Sequence, residues 1–180
     1  MIGVLVSGEG SNLQALIEEG LPIAAVASNR PDAPALARAG AAGIPAAVFP
    51  VDQHVSREER DAAMADWLAA HGVRWVVLAG YMHLLRPSFL ERFPERVINV
   101  HPALLPQFPG THAIEDALAA GVRETGATVH YVDEGVDSGP VIEQERVAVQ
   151  QDDTVDTLRA RIQAVEHRLL PKVVRELCAR

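Results

Sequence analysis

The stretch Ile2-Gly3-Val4-Leu5-Val6-Ser7-Gly8-Glu9-Gly10-Ser11-Asn12 decides the fold class. Its first five residues are apolar or small without alternation, the pattern of a strand buried on both faces. The glycines that follow read as a tight turn. A helix is expected to start near Ser11 and Asn12, to place Leu13, Leu16 and Ile17 on one face, and to stop at Gly20. A buried strand entering a helix through a glycine turn is the opening of a βαβ unit.

The alternation continues outward from that unit. Residues 22–27 read as a second strand, 32–42 as a helix ended by Gly43, and 44–49 as a third strand. Ser56-Arg57-Glu58-Glu59 is a capping box, opening a helix that places Met64, Trp67 and Leu68 on one face before Gly72. Residues 75–79 and 97–100 are two more buried strands. Together these predict an α/β domain with a mainly parallel sheet. The last third differs: 127–132 and 141–149 read as extended, and alternation of valine with glutamate marks the second as an exposed or edge strand. A long helix over 154–177, with Val155, Leu158, Ile162, Val165, Leu169 and Leu170 inward and a kink expected at Pro171, closes the chain.

Composition narrows the function classes. The chain has 180 residues, 48% of them hydrophobic, which fits one domain with a real core over 1–180. Sixteen basic against 24 acidic residues leave a net charge of −8, a poor surface for nucleic acid or anionic membranes. The longest uncharged stretch, 97–114, carries three prolines and two histidines, so no membrane helix is expected there. The single cysteine, Cys178, excludes an internal disulfide and a cysteine-rich metal site. With no export leader read at the front, a soluble cytoplasmic protein is expected.

Three segments carry chemistry. In the first, backbone amides of Gly10, Ser11 and Asn12 at a helix start suit an anion. The dinucleotide fingerprint fails, because its third glycine falls on Leu13, and no P-loop lysine follows. A monophosphate therefore fits this turn better than NAD; a plain capped turn is the alternative. In the second, Asn99 and His101 share one side at the end of a strand, followed by three prolines in eight residues. An amide beside an imidazole can hydrogen-bond a developing oxyanion, and the imidazole can act as general acid. In the third, 133–140 forms a bent glycine loop with three carboxylates, one of which could pair with His101 and hold its tautomer. The seven histidines show no metal-ligand spacing, and no serine stands in a nucleophile elbow, so neither a metal nor a covalent intermediate is expected.

These segments, with Leu78-Ala79-Gly80-Tyr81-Met82, Pro109-Gly110 and Val136-Asp137-Ser138-Gly139-Pro140, resemble the folate-dependent formyltransferases over nearly the whole chain. The Gly-Ser-Asn loop at the front resembles that of the family members acting on glycinamide ribonucleotide. The resemblance implies a Rossmann-like three-layer sandwich, parallel first and antiparallel toward the C-terminal part. It makes Asn99, His101 and Asp137 the catalytic trio. It assigns substrate phosphate to Gly10, Ser11 and Asn12, and ribose and glycinamide to Gln163 and Glu166 on the last helix. Contacts to 10-formyltetrahydrofolate, the formyl donor, fall to Arg57, Met82, His83, Leu84, Leu85 and Asn99, and to the backbone of Asp133, Glu134, Gly135, Val136 and Asp137. The partners implied are small molecules only, on a monomer or homodimer. One departure stands out: the family's arginine after the methionine is His83 here, with Arg86 a conceivable substitute. A 10-formyltetrahydrofolate hydrolase and a non-catalytic sugar-phosphate-binding module are the competing readings.

Overall fold

A computed structural model describes residues 1–179. Contacts divide the chain into two compact units, Met1–Ile98 and a second beginning at Asn99.

The first unit contains β1 (Ile2–Val6), α1 (Ser11–Glu18), β2 (Ile23–Ser28), α2 (Ala35–Ala41), β3 (Ala46–Val48), α3 (Arg57–Ala70), β4 (Trp75–Leu78) and the short α4 (Pro87–Leu90). Every residue of β1 is buried, which is why its run shows no alternation. β1 lies between β2 and β4 and is parallel to both, with Val4 opposite Val26 on one side and Val77 on the other. β2 pairs in parallel with β3. The chain thus leaves β1 in one direction and returns on its other side, a strand-order reversal that opens a crevice at the carboxyl ends of β1 and β4. Leu13 and Leu16 of α1 and Met64 and Leu68 of α3 fill the core, as their spacing predicts.

Strand β5 (Val97–His101) spans the division between the units. The second unit adds α5 (Ala113–Ala119), β6 (Glu124–Tyr131), β7 (Val141–Ala148) and α6 (Val155–Cys178). β6 and β7 are antiparallel, with Ala127 opposite Glu145 and Val129 opposite Glu143. Leu158, Ile162, Val165, Leu169 and Leu170 of α6 are buried, while Glu143 and Glu145 of β7 pair with Lys172 and Arg168 of the same helix. The strand order is β3-β2-β1-β4-β5-β6-β7, a mixed sheet in which β7 is an edge. This is the α/β fold expected, parallel first and antiparallel at the end.

The differences are local. The helix expected from residue 32 starts at Ala35, whose N–H is committed to the Gly8 carbonyl at 3.1 Å. Ser56 caps α3 by accepting the Glu59 N–H at 3.1 Å, but the reciprocal half of the box is unmade because the Glu59 carboxylate turns toward His54. Thr154 and Thr157 form both halves at the start of α6. That helix runs on through the buried Pro171 as one element. Helices α4 and α5 are too short to leave a periodicity in the sequence. Among the described residues no helix is long and apolar enough to cross a membrane.

Candidate active site

Strand β5 ends in Asn99 and His101, and alternation puts both on one side, as expected. Asp137 comes to meet them from the loop after β6. Its Oδ2 lies 3.3 Å from His101 Nδ1, and its Oδ1 lies 3.4 Å from Asn99 Nδ2. The loop that presents it is tightly built. Gly139 closes it onto the end of β6, where a Cβ would lie 1.9 Å from the Tyr131 carbonyl oxygen. Asp133 accepts from the Gly135 N–H at 3.0 Å and the Ser138 hydroxyl at 2.8 Å, so this carboxylate shapes the loop. Asp137 itself has φ +50°, a left-handed conformation that costs a non-glycine residue energy and is held by its neighbours.

A fourth side chain, which the sequence reading did not single out, belongs to this group. His130, 2% exposed near the end of β6, sits with Nε2 3.1 Å from Asn99 Nδ2 and 3.6 Å from Asp137 Oδ1. The only hint in the sequence is a histidine within the extended segment read over 127–132. Its Nδ1 faces the Tyr131 carbonyl oxygen at 2.8 Å and must donate, so in the neutral ring Nε2 accepts from Asn99. This chain of partners fixes the Asn99 amide with its nitrogen toward His130 and Asp137. One Asn99 N–H is therefore well bonded, and the other, reaching Asp137 at 3.4 Å, is the one that can turn to a substrate oxygen.

His101 is arranged differently. Its Nε2 donates to the Phe108 carbonyl at 2.7 Å, and its Nδ1 faces the Asp137 carboxylate. Both neighbours are acceptors, so a ring carrying both protons is satisfied on both sides. For Asp137, burial alone would raise the pKa. The neighbouring His130, the Gly110 N–H at 2.8 Å and the imidazole of His101 outweigh it and hold the carboxyl below its usual range. The His130 contribution belongs to a ring protonated at Nε2; with Nε2 accepting from Asn99, the Gly110 N–H and the His101 imidazole are what hold the carboxylate.

The loop after His101 is latched from β6 and β7. Thr128, fully buried, donates to the Ala103 carbonyl at 2.7 Å and accepts the Leu105 N–H at 3.1 Å. Gln144 donates to the Leu105 carbonyl at 2.7 Å. On α6, Gln163 is half-buried and Glu166 is buried.

In the first unit, Gly10 caps α1 in a left-handed conformation, with φ +74°. Only glycine fits there, since a Cβ would lie 2.6 Å from Ala35 Cβ. Arg38 braces the turn by donating to the Glu9 carbonyl at 2.7 Å. Ser11 and Asn12 then begin α1, with their amides at its N-terminus.

The segment after β4 lies at the carboxyl end of that strand. Met82 and Leu84 are 59% and 49% exposed, whereas Leu85 is buried. His83 does not face solvent: it is half-buried, with Nδ1 2.7 Å from Arg60 Nη1. Arg86, the conceivable substitute for the missing arginine, pairs its guanidinium with Glu58 at 2.7 Å. Arg57 is exposed at the first turn of α3. Val136, in the second unit, is 51% exposed. Among the described residues no group of three or more His, Cys, Asp or Glu side chains is placed to hold a metal ion.

An amide and an imidazole joined to one carboxylate at a strand end, with a glycine-capped helix start elsewhere in the chain, define a class that the comparisons also find. A family model described as formyl transferase matches residues 1–174, and the chain belongs to this family. Among relatives, the phosphoribosylglycinamide formyltransferase of Bacillus subtilis (strain 168) is 38% identical over 180 residues, spanning 97% of this chain and 92% of that protein. The crystal structure of phosphoribosylglycinamide formyltransferase from Streptococcus pneumoniae TIGR4 is similar with a TM-score of 0.94 at 45% identity, covering 98% of this chain and 97% of that one. The trifunctional purine biosynthetic protein adenosine-3 of Chironomus tentans is 42% identical over 182 residues, and the chain spans only 13% of its length.

Proposed function

We propose that this protein transfers the formyl group of 10-formyltetrahydrofolate to the amine of glycinamide ribonucleotide, a step of purine biosynthesis. The observation that carries the reading is the meeting of Asn99, His101 and Asp137 within 3.4 Å, in a chain similar to phosphoribosylglycinamide formyltransferases. The amine attacks the formyl carbon, and the carbonyl oxygen gains negative charge. Asn99 offers its second N–H to that oxygen, and His101 offers a proton and positive charge. Because His101 Nε2 is bonded to the Phe108 carbonyl in this structure, the substrate oxygen must take over that contact. Asp137 balances the imidazolium and helps remove the amine proton. Collapse of the tetrahedral intermediate expels the folate nitrogen, which gains a proton to give tetrahydrofolate.

One oxyanion donor is worth about 10²–10³ in rate and general acid–base help about 10²–10⁴, so no metal or covalent intermediate is needed. In this reading Gly10, Ser11 and Asn12 hold the substrate phosphate, and Gln163 and Glu166 its ribose and glycinamide. Arg57, Met82, His83, Leu84, Leu85 and the 133–137 backbone contact the folate. The test is tetrahydrofolate release, followed by absorbance, with glycinamide ribonucleotide present and then omitted. Release only in its presence is expected. Equal release without it would make the protein a hydrolase, and none in either case would leave a binding module.

A further inference from the structure

Arg60 and Asp61, consecutive on α3, are both fully buried and paired, with Arg60 Nη2 2.6 Å from Asp61 Oδ1. Such a pair is expensive to desolvate, and nothing in the formyl-transfer chemistry uses it. Its two free sides are directed at one segment. Asp61 Oδ2 accepts the Arg86 N–H at 2.8 Å, and Arg60 Nη1 donates to His83 Nδ1 at 2.7 Å. Around the same segment, His83 Nε2 lies 3.4 Å from Asn29 Nδ2, the Ser7 hydroxyl donates to Asn29 Oδ1 at 2.5 Å, and Ser7 Oγ accepts the Met82 N–H at 2.9 Å. Residues 82–86 are thus gripped at both ends, at the carboxyl ends of β1, β2 and β4.

Hydrogen-bond accounting fixes the ring. A guanidinium has no acceptor, so His83 Nδ1 must be unprotonated where it meets Arg60. A neutral imidazole has one acceptor nitrogen, so Nε2 carries the proton, and its 3.4 Å separation from Asn29 Nδ2 is too long for a firm hydrogen bond.

We propose that Arg60 is a positioning residue: paired with Asp61, it locks His83 as the Nε2–H tautomer and thereby sets residues 82–85, with the exposed Met82 and Leu84, for a flat apolar ligand. This deepens the folate reading of that segment and rests on it. Protonation of His83 at Nδ1 would place two donors against each other and release the segment. The groups facing the ring are the guanidiniums of Arg60 and Arg57, the Asp61 carboxylate and the Tyr81 ring at 5.9 Å. Burial first, then Arg60 and Arg57, lower the His83 pKa from its usual 6.5, against the opposing pull of Asp61. The grip is therefore complete at neutral pH and survives below 6.5 until the lowered value is reached.

Nitrogen-15 spectra of the histidine rings, recorded on the wild-type protein from about pH 5 to 8, test this directly. His83 is expected to show the Nε2–H tautomer at neutral pH and to titrate below the usual histidine range. In Arg60→Met the titration moves up, the Met82 N–H loses hydrogen-exchange protection, and KM for the formyl donor rises about tenfold with kcat nearly unchanged, the size of a lost charge-assisted hydrogen bond. Arg60→Lys, which keeps the charge beside Asp61, restores part of each effect and serves where Arg60→Met fails to fold. An Nδ1–H tautomer in the wild type, or a His83 titration indifferent to both substitutions, overturns the proposal. The ring spectra need no substrate, so a chain without formyl transfer would refute the folate reading while these readouts still decided the role of Arg60.

Discussion

Replacing Asp137 by asparagine removes one charge and almost no volume, and its cost follows from the distances. The carboxylate lies 3.3 Å from His101 Nδ1 and its side chain is only 15% exposed. At that separation and an effective dielectric constant of about 20, the attraction to an imidazolium is about 5 kcal/mol. Asparagine still offers an oxygen to the Gly110 N–H, and its dipole recovers part of the rest. A loss of about 3 kcal/mol in the transition state remains, or about 10² in kcat. Both KM values should change by no more than a few-fold, since the charge acts as the reaction proceeds. The assay is steady-state formyl transfer, with the His101→Ala and double variants completing a cycle. The double variant is expected to be little worse than the worse single one. The substitution should also show in acid unfolding. A carboxyl held below its usual 3.8 contributes stability that is fully present above that value and lost as pH falls through the lowered one. Asp137→Asn should flatten that part of the profile. A kcat within tenfold of wild type, or fully additive losses, would refute the coupling of Asp137 to His101.

Other perturbations separate the parts of the account. Asn99→Ala should lower kcat by roughly 10²–10³ through loss of an oxyanion donor, read in the same assay. Thr128→Val leaves the Ala103 carbonyl and Leu105 N–H unpaired; denaturant unfolding should show a loss of about 3 kcal/mol. Inorganic phosphate at constant ionic strength should raise Tm, and Ser11→Pro, which removes one of the assigned amides at a position where helices accept proline, should shrink that rise while raising KM for glycinamide ribonucleotide. Gly10→Ala is expected to cost about 1–3 kcal/mol of stability through its positive φ alone, so calorimetry without ligand should already show it.

What the sequence disclosed and what it hid have physical reasons. Strands β1 and β4 were legible because parallel strands buried on both faces are continuous apolar runs, and the start of β5 shows the same kind of run. Asn99 and His101 were legible because two polar residues at the end of such a run have no packing role. From the residues alone Asp137 could be narrowed only to a loop with three carboxylates, since pairing across that loop depends on tertiary contacts; the family resemblance is what singled it out. His130 stayed hidden because one histidine in a strand looks the same whether it fills space or orients an amide. Arg60 was harder still. It lies in Arg57-Glu58-Glu59-Arg60-Asp61, which reads as an ordinary solvated helix start, and only the fold shows that its last two charges are buried. The same holds for His83, whose meaning depends on a guanidinium 23 residues away.

The central claim is that the cluster at the end of β5 performs the chemistry. The most direct test is a rapid-quench single turnover of His101→Ala with 10-formyltetrahydrofolate and glycinamide ribonucleotide both saturating, alongside the wild type. The account predicts a formyl-transfer rate lower by about 10³ or more, from the combined loss of the acid and the oxyanion partner, with dissociation constants for both substrates nearly unchanged. A His101→Ala enzyme that transferred the formyl group at close to the wild-type rate would contradict it.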